Sequence, residues 1–360
     1  MKIEVYSPTI KRKEMDAVLT AMVEDKIGPG EQAKFLIQTA REKIKFDYSL
    51  ALRSPAIALH LAIQALNLEI GSGSCRGQGV IISALSPLYY ERVIKDLGLT
   101  PLYCDALSST SCMSRETVEK ALASKPETLD IRCIVLHHNL GYLCDAAAIA
   151  ELGIPVIEDC SQSYGTFAGQ EEGSAQGAEE HAAGNTGVFT ILGLEERDML
   201  TSGGGALLYA MNRRDAALLR NLEDIPPEYG LPDMNAALAV VQFREAAKNL
   251  LKRREIARLY TQSALRTRHK RFIQSDAEYN NYAFSLILET GVKDVKTYAR
   301  KKEIVVESAF DKTLIGCGMV PPEQCPEAYS LSLRTVLFPL YPRLRITDAE
   351  RVSKLMLTLP

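Results

Sequence analysis

The sequence predicts an α/β protein. It reads as a large three-layer α/β/α domain with a mainly parallel sheet (residues 1–250), followed by a small C-terminal α+β domain (residues 251–360). Three observations carry this. Short unbroken apolar runs, VIIS (80–83), PLYC (101–104), CIVLH (133–137) and IPVI (154–157), alternate with helical stretches such as ERVIKDLG and SRETVEKALAS. Strands covered by helices on both faces read this way. The chain of 360 residues is too long for one small core. Finally, strand and helix patterns alternate again in YAFSLIL (282–288), EIVVESA (303–309) and TVLFPLYPRL (335–344).

Taken in order, Met15, Val18, Leu19 and Met22 recur at helical spacing and define a first helix ending near Gly28-Pro29-Gly30. A second helical pattern runs from about Gln32 to Lys45. RSPAIALHLAIQALNL predicts a helix with Ser54 as N-cap and Pro55 in its first position. The alternating strands and helices follow. Segment 166–187 has no period and is expected to be a long, mobile, acidic loop. GVFTILG and ALLYA are two strand-like runs joined by a charged, glycine-ended connection, Glu195-Glu196-Arg197-Asp198 to Gly205. A long helix is predicted from about Pro232 to Leu265.

Composition narrows the function classes. Net charge is −3, and 46% of residues are hydrophobic, so neither nucleic acid nor a membrane is expected as a partner. The N-terminus has no signal-peptide core, which points to a cytoplasmic protein. The eight cysteines include no CxxC pair, and several sit in apolar strand candidates. Buried reduced thiols are expected, with no metal site. GSGSCRGQG (71–79) precedes a strand, the wrong order for a phosphate-binding loop. KNLLKRREIARLY (248–260) reads as a solvated basic helix face.

Ligands of an open α/β sheet bind at the carboxyl ends of its strands. GIPVIEDCSQSYG places Glu158 and Asp159 at such an end, with Gln162 just beyond. An aspartate there either caps the next turn or pairs with a cationic ring nitrogen of a cofactor.

That segment resembles the signature of the DegT/StrS family of sugar aminotransferases. ALHLAIQAL (58–66), HNLGYLCD (138–145), MNAALAVVQF (234–243) and AYSLSLRTVLFPLYPRL (328–344) resemble further family segments in the same order. The resemblance covers essentially the whole chain. It implies the pyridoxal-phosphate-dependent transferase fold of type I, a homodimer, and a place in nucleotide-sugar or cell-surface polysaccharide metabolism. It also implies that Asp159 is the partner of the pyridine nitrogen and Gln162 its neighbour.

Other family positions have changed. The lysine that forms the internal Schiff base aligns with Glu195 or Arg197, depending on the side from which one counts, and no lysine occurs between Lys125 and Lys248. Glutamate is no amine, and arginine is a poor nucleophile that stays protonated. Some dehydratase relatives carry histidine there, and this stretch has none. The phosphate-binding "SGT" turn corresponds to Ser54-Pro55-Ala56, which lacks one N–H and one hydroxyl. Thr190 replaces the serine before the lysine. Glu228 and Gly230 stand where the partner subunit's asparagine and an arginine are expected, and the ring-stacking aromatic falls near Leu85 to Pro87, with Tyr89 and Tyr90 a shift away. A glutamate facing a phosphate about 4 Å away would cost roughly 4 kcal/mol at an effective dielectric of about 20.

These substitutions point to a pseudoenzyme. Asp159, Gln162, Ser54 and Thr190 would be vestiges of a cofactor site, with no catalytic residue and no bound cofactor beyond weak, non-covalent pyridoxal phosphate. The expected partner is a second copy and the expected ligand a sugar nucleotide in the old cleft. Two alternatives stay open. One is an active aminotransferase using another lysine, such as Lys125 or Lys248. The other is acid–base chemistry by Glu195, His138 or the Glu158–Asp159 pair.

Overall fold

A computed structural model describes residues 2–69, 77–168, 182–222, 225–273 and 277–360. In chain order the first elements are α1 (Arg12–Val23), α2 (Glu31–Ile44), β1 (Tyr48–Leu52), α3 (Pro55–Glu69), β2 (Gln78–Ser83), α4 (Leu88–Asp96) and β3 (Thr100–Cys104). Then come α5 (Arg115–Ser124), β4 (Asp130–His137), α6 (Ala146–Ala150), β5 (Val156–Asp159), β6 (Phe167–Ala168), β7 (Phe189–Gly193), β8 (Ala206–Ala210) and α7 (Arg213–Arg220). The last are α8 (Asp233–Ala264), β9 (Ala277–Glu278), β10 (Phe284–Ile287), α9 (Val292–Lys301), β11 (Glu307–Ser308), α10 (Pro326–Arg334), β12 (Thr335–Phe338) and α11 (Ile346–Met356).

Seven strands form the main sheet in the order β1-β8-β7-β5-β4-β2-β3. From β3 to β7 all pairings are parallel, and β8 runs antiparallel to both β7 and β1. The alternation of side chains along β8 shows why the sheet needs two covers. Ala206, Leu208 and Ala210 join a core with Leu59, Ala62 and Ile63 of α3, whereas Leu207 and Tyr209 join one with Leu36 of α2 and Phe243 of α8. Three layers result, as the apolar runs predict.

The helix start at Ser54-Pro55 forms as expected, with the Ser54 hydroxyl accepting from the Ile57 N–H at 3.3 Å. The charged connection between the two apolar runs is a hairpin. Leu194 N–H donates to the Gly205 carbonyl at 2.8 Å, and Gly205 has φ +125°, a left-handed conformation that favours glycine. The edge strand β1 is not among the elements expected from the sequence.

A smaller antiparallel sheet, β10-β12-β11, carries its own core with α9, α11 and the second half of α8. α8 runs unbroken through residue 250, and its side chains switch cores along the way. Ala236 to Ala246 pack beneath the main sheet, and Ile256 to Ala264 pack with the small one. Ile3 joins the small core, its N–H and carbonyl bonded to Glu303 and Val305.

The basic stretch 248–260 lies in α8, where Lys248, Lys252 and Arg258 are exposed as expected of a solvated face, and Arg253 is the exception. Arg253 is 4% exposed and donates to the carbonyls of Asn281, Tyr282 and Leu340. Burial pushes its guanidinium down to about 10. Of the seven described cysteines six are buried, and none of the seven is in a disulfide. The expected acidic loop lies outside the described residues over 169–181, as does 71–76 of the glycine-rich run. No helix among the described residues is long and apolar enough to cross a membrane.

Candidate functional site

The carboxyl ends of β4, β5 and β7 bring His137, Asp159 and Gly193 together, as the parallel topology requires. Beside them opens a cavity of about 590 Å³ between the two sheets. Leu85, His137, Gln162, Arg197 and Asp198 line it from the main-sheet side, and Lys296, Arg300, Glu307 and Lys312 from the small-sheet side.

Asp159 is not among the lining residues, because tyrosines already hold it. α4 begins at Leu88, so its first turn aims Tyr89 and Tyr90 at the end of β5. Tyr90 Oη donates to Asp159 Oδ2 at 2.6 Å and Tyr89 Oη at 3.2 Å. On the other oxygen, Oδ1 accepts from the Ser161 N–H at 2.9 Å and from the Ser161 hydroxyl. His137 Nδ1 lies 3.6 Å from Oδ2, and its ring meets Tyr90 edge-on at 6.0 Å. Burial alone would raise the Asp159 carboxyl, but His137, Ser161 and Tyr90 outweigh it and hold the group well below the usual range. Burial and the Asp159 charge push both tyrosines far up, so their protons stay available to donate.

The remaining predicted residues are structural. Gln162 does line the cavity, and its Oε1 accepts from Leu140 N–H at 2.7 Å, pinning a turn in which Leu140 has φ +55°. Ser54 Oγ is occupied as a helix cap, and Thr190 donates to the Gly184 carbonyl at 2.7 Å. Neither lines the cavity. Glu158 points away from Asp159, as alternate strand residues must. It accepts from His138 Nε2 at 2.9 Å and from the N–H groups of Gly184, Thr186 and Gly187 at 3.2, 2.8 and 2.6 Å. The Cys144 N–H donates to His138 Nδ1 at 3.0 Å, which leaves the ring proton on Nε2. Glu158 and His138 thus anchor the segment before β7. Neither is among the residues that line the cavity.

The same cluster bears on metals. His138, Glu158 and Cys160 offer ligand-type atoms within 4.8 Å of one another. Both imidazole nitrogens and both Glu158 oxygens already carry hydrogen bonds, and burial holds the Cys160 thiol protonated. The set serves as a buried polar network.

At the turn after β7, Glu195 is exposed and Asp198 turns inward, accepting from the Glu195 N–H at 2.7 Å. A Cβ on Gly193 would collide with the Asp198 carboxylate and the Ser161 hydroxyl, so only glycine admits this approach. Arg197 reaches across the cavity to Glu307, Nη1 to Oε2 2.7 Å and Nη2 to Oε1 3.4 Å. Lys125 bonds the Leu129 carbonyl, and Lys248 is 70% exposed beside Glu245; neither lines the cavity. The lysines that do are Lys296 and Lys312, which sequence reasoning passed over. Glu228 sits in an exposed turn, its carbonyl accepting from Arg53.

Comparison with known proteins fits this architecture. The DegT/DnrJ/EryC1/StrS aminotransferase family matches residues 8–357. A GDP-perosamine synthase from Escherichia coli O157:H7 is 25% identical over 277 residues, 72% of this chain and 70% of that protein. The aminotransferase TlmJ from Streptoalloteichus hindustanus superposes with a TM-score of 0.83 at 19% identity, covering 98% of this chain and 97% of that one. A variant of GDP-4-keto-6-deoxymannose-3-dehydratase with bound GDP-perosamine superposes at 0.81, with 15% identity over 98% of this chain and 100% of the other.

Proposed function

Because the chain belongs to the DegT/DnrJ/EryC1/StrS aminotransferase family, we propose that it is a pseudoenzyme that keeps the family scaffold as a binding or regulatory protein of nucleotide-sugar or cell-surface polysaccharide metabolism. The observation that carries this reading is the 2.6 Å bond from Tyr90 to Asp159. A protein hydroxyl donates where a cofactor's ring nitrogen would.

Pyridoxal phosphate needs a lysine amine, an anion seat and a free carboxylate for its ring nitrogen. Here the lysine-equivalent turn offers carboxylates, Pro55 lacks the N–H, the Ser54 oxygen caps its own helix, and Asp159 is engaged. These residues do not fit the cofactor. The cavity remains, with Arg197, Lys296, Arg300 and Lys312 along its walls. Such a lining suits an anionic ligand, and the similar GDP-perosamine synthase and the dehydratase structure with bound GDP-perosamine suggest a sugar nucleotide. Calorimetry against a panel of nucleoside diphosphate sugars tests the reading. Binding of one of them, without amino transfer, is expected; no binding by any would contradict it. A second reading, an active aminotransferase, gains support from Lys296, which lines the cleft with its Nζ 2.6 Å from Ser308 Oγ.

The protein is expected to act as a homodimer. α1 buries Glu14 and Ala21 against its own chain and leaves Met15, Leu19 and Met22 outward, 52%, 55% and 51% exposed. An apolar stripe of that kind calls for cover. Leu19→Asp should weaken self-association by at least about tenfold, read by sedimentation. A wild-type monomer would refute this. Six buried thiols without a disulfide support a reducing, cytoplasmic setting.

A further inference from the structure

The ion pair between Arg197 and Glu307 spans the same cavity that both residues line. It joins the turn before β8 to β11, elements 110 residues apart in sequence. Arg197 is also held from a second direction. Its guanidinium lies 5.8 Å from the Tyr6 ring centroid, and the Tyr6 hydroxyl donates to the Glu196 carbonyl. The guanidinium therefore has a contact that does not depend on Glu307. The pair is partly exposed, 46% and 35% by side chain, so it adds little to stability. What it does is occupy a planar fork that fits a phosphoryl group as well as a carboxylate.

The charges around it are unbalanced. Four cations, Arg197, Lys296, Arg300 and Lys312, face three carboxylates, Asp198, Glu307 and Asp311. Glu307 answers Arg197, and Asp311 lies 3.7 Å from Lys296. Among the described residues Arg300 and Lys312 enter no ion pair. Burial, with the Asp159 charge nearby, pushes the Asp198 carboxyl up.

We infer that Arg197 is an oxyanion-binding residue of the cleft and that Glu307 is its built-in competitor. The diphosphate of a bound nucleotide displaces the Glu307 carboxylate from the guanidinium, and Arg300 and Lys312 supply the remaining positive charge. The inference rests on the cleft binding a sugar nucleotide, as proposed above. It gives the position vacated by the family lysine a new role, that of gating an anion site between the two sheets.

The test compares wild type, Glu307→Gln and Arg197→Gln in calorimetric titrations with inorganic pyrophosphate, GDP and the nucleotide sugars. Glu307→Gln is expected to bind pyrophosphate and GDP about fivefold more tightly, because the competitor is gone. Arg197→Gln is expected to bind them about tenfold more weakly. Both differences should shrink as salt rises from about 50 to about 300 mM. A purely structural pair predicts the same sign of change in both variants. Equal or weaker binding by a folded Glu307→Gln overturns the inference. If GDP or a nucleotide sugar binds all three proteins equally, the inference fails and the reading of the cleft stands. If none of these ligands binds any of the three, the reading itself fails, and the inference with it.

Discussion

Asp159→Ala is expected to lower the free energy of unfolding by about 3–5 kcal/mol, the range for removing one member of a buried charged network. The carboxylate is 1% exposed and accepts from Tyr90, Tyr89 and both donors of Ser161. Alanine would strand the Tyr90 hydroxyl and the Ser161 N–H out of reach of water, each costing about 1–3 kcal/mol. An aspartate waiting for a cofactor would behave differently, since its removal from the free protein relieves an uncompensated charge. Urea denaturation decides between them, and a loss below about 1 kcal/mol would contradict the structural role.

The pH dependence follows with a definite sign. Asp159 is held well below its unfolded pKa of about 4. Its contribution is fully present above that value and is lost as the pH falls toward the folded-state pKa. Asp159→Ala should therefore flatten the acid limb of the stability curve. Asp198 has the opposite slope. Burial raises its pKa, so its contribution is fully present below about pH 4 and declines as the pH rises through the folded-state value. Wild-type stability is squeezed from both sides by two carboxylates of one site.

Much of the fold is legible in the sequence because buried parallel strands leave a plain mark. The runs 80–83, 101–104, 133–137 and 154–157 all fall within or overlap strands of the main sheet. β1 escapes because YSLAL lies at the sheet edge with a mixed burial pattern, so no unbroken apolar run flags it. Likewise, Met15, Leu19 and Met22 share a helix face, but spacing does not tell whether that face meets its own chain. In the site, Asp159 and Gln162 are found by their position at a strand end, a topological rule that needs no contacts. Their actual partners are not visible in this way. Tyr90 reaches Asp159 from 69 residues away, and Glu307 meets Arg197 across 110. Such pairings depend on how helix starts and the small sheet dock, which local spacing does not encode. Glu158 illustrates the same limit. Adjacent to Asp159 in sequence, it faces the other way and anchors Thr186 and Gly187 instead.

The central claim is that Schiff-base chemistry has been replaced by a polar cluster in which Tyr89, Tyr90 and Ser161 hold Asp159. The alternative needs a deprotonated amine within bonding reach of the cofactor's aldehyde carbon. Lys296 lines the cavity, but it is tied to Ser308 at 2.6 Å and lies 3.7 Å from Asp311. Even with a free amine there, the cofactor's ring nitrogen would have to compete with Tyr90 and Tyr89 for Asp159. The most direct measurement is to titrate the purified protein with pyridoxal phosphate, reduce with borohydride and map adducts by peptide mass spectrometry. No Schiff-base absorption and no adduct confined to one lysine is the expected result. A stoichiometric adduct at a single lysine, Lys296 foremost, would contradict it.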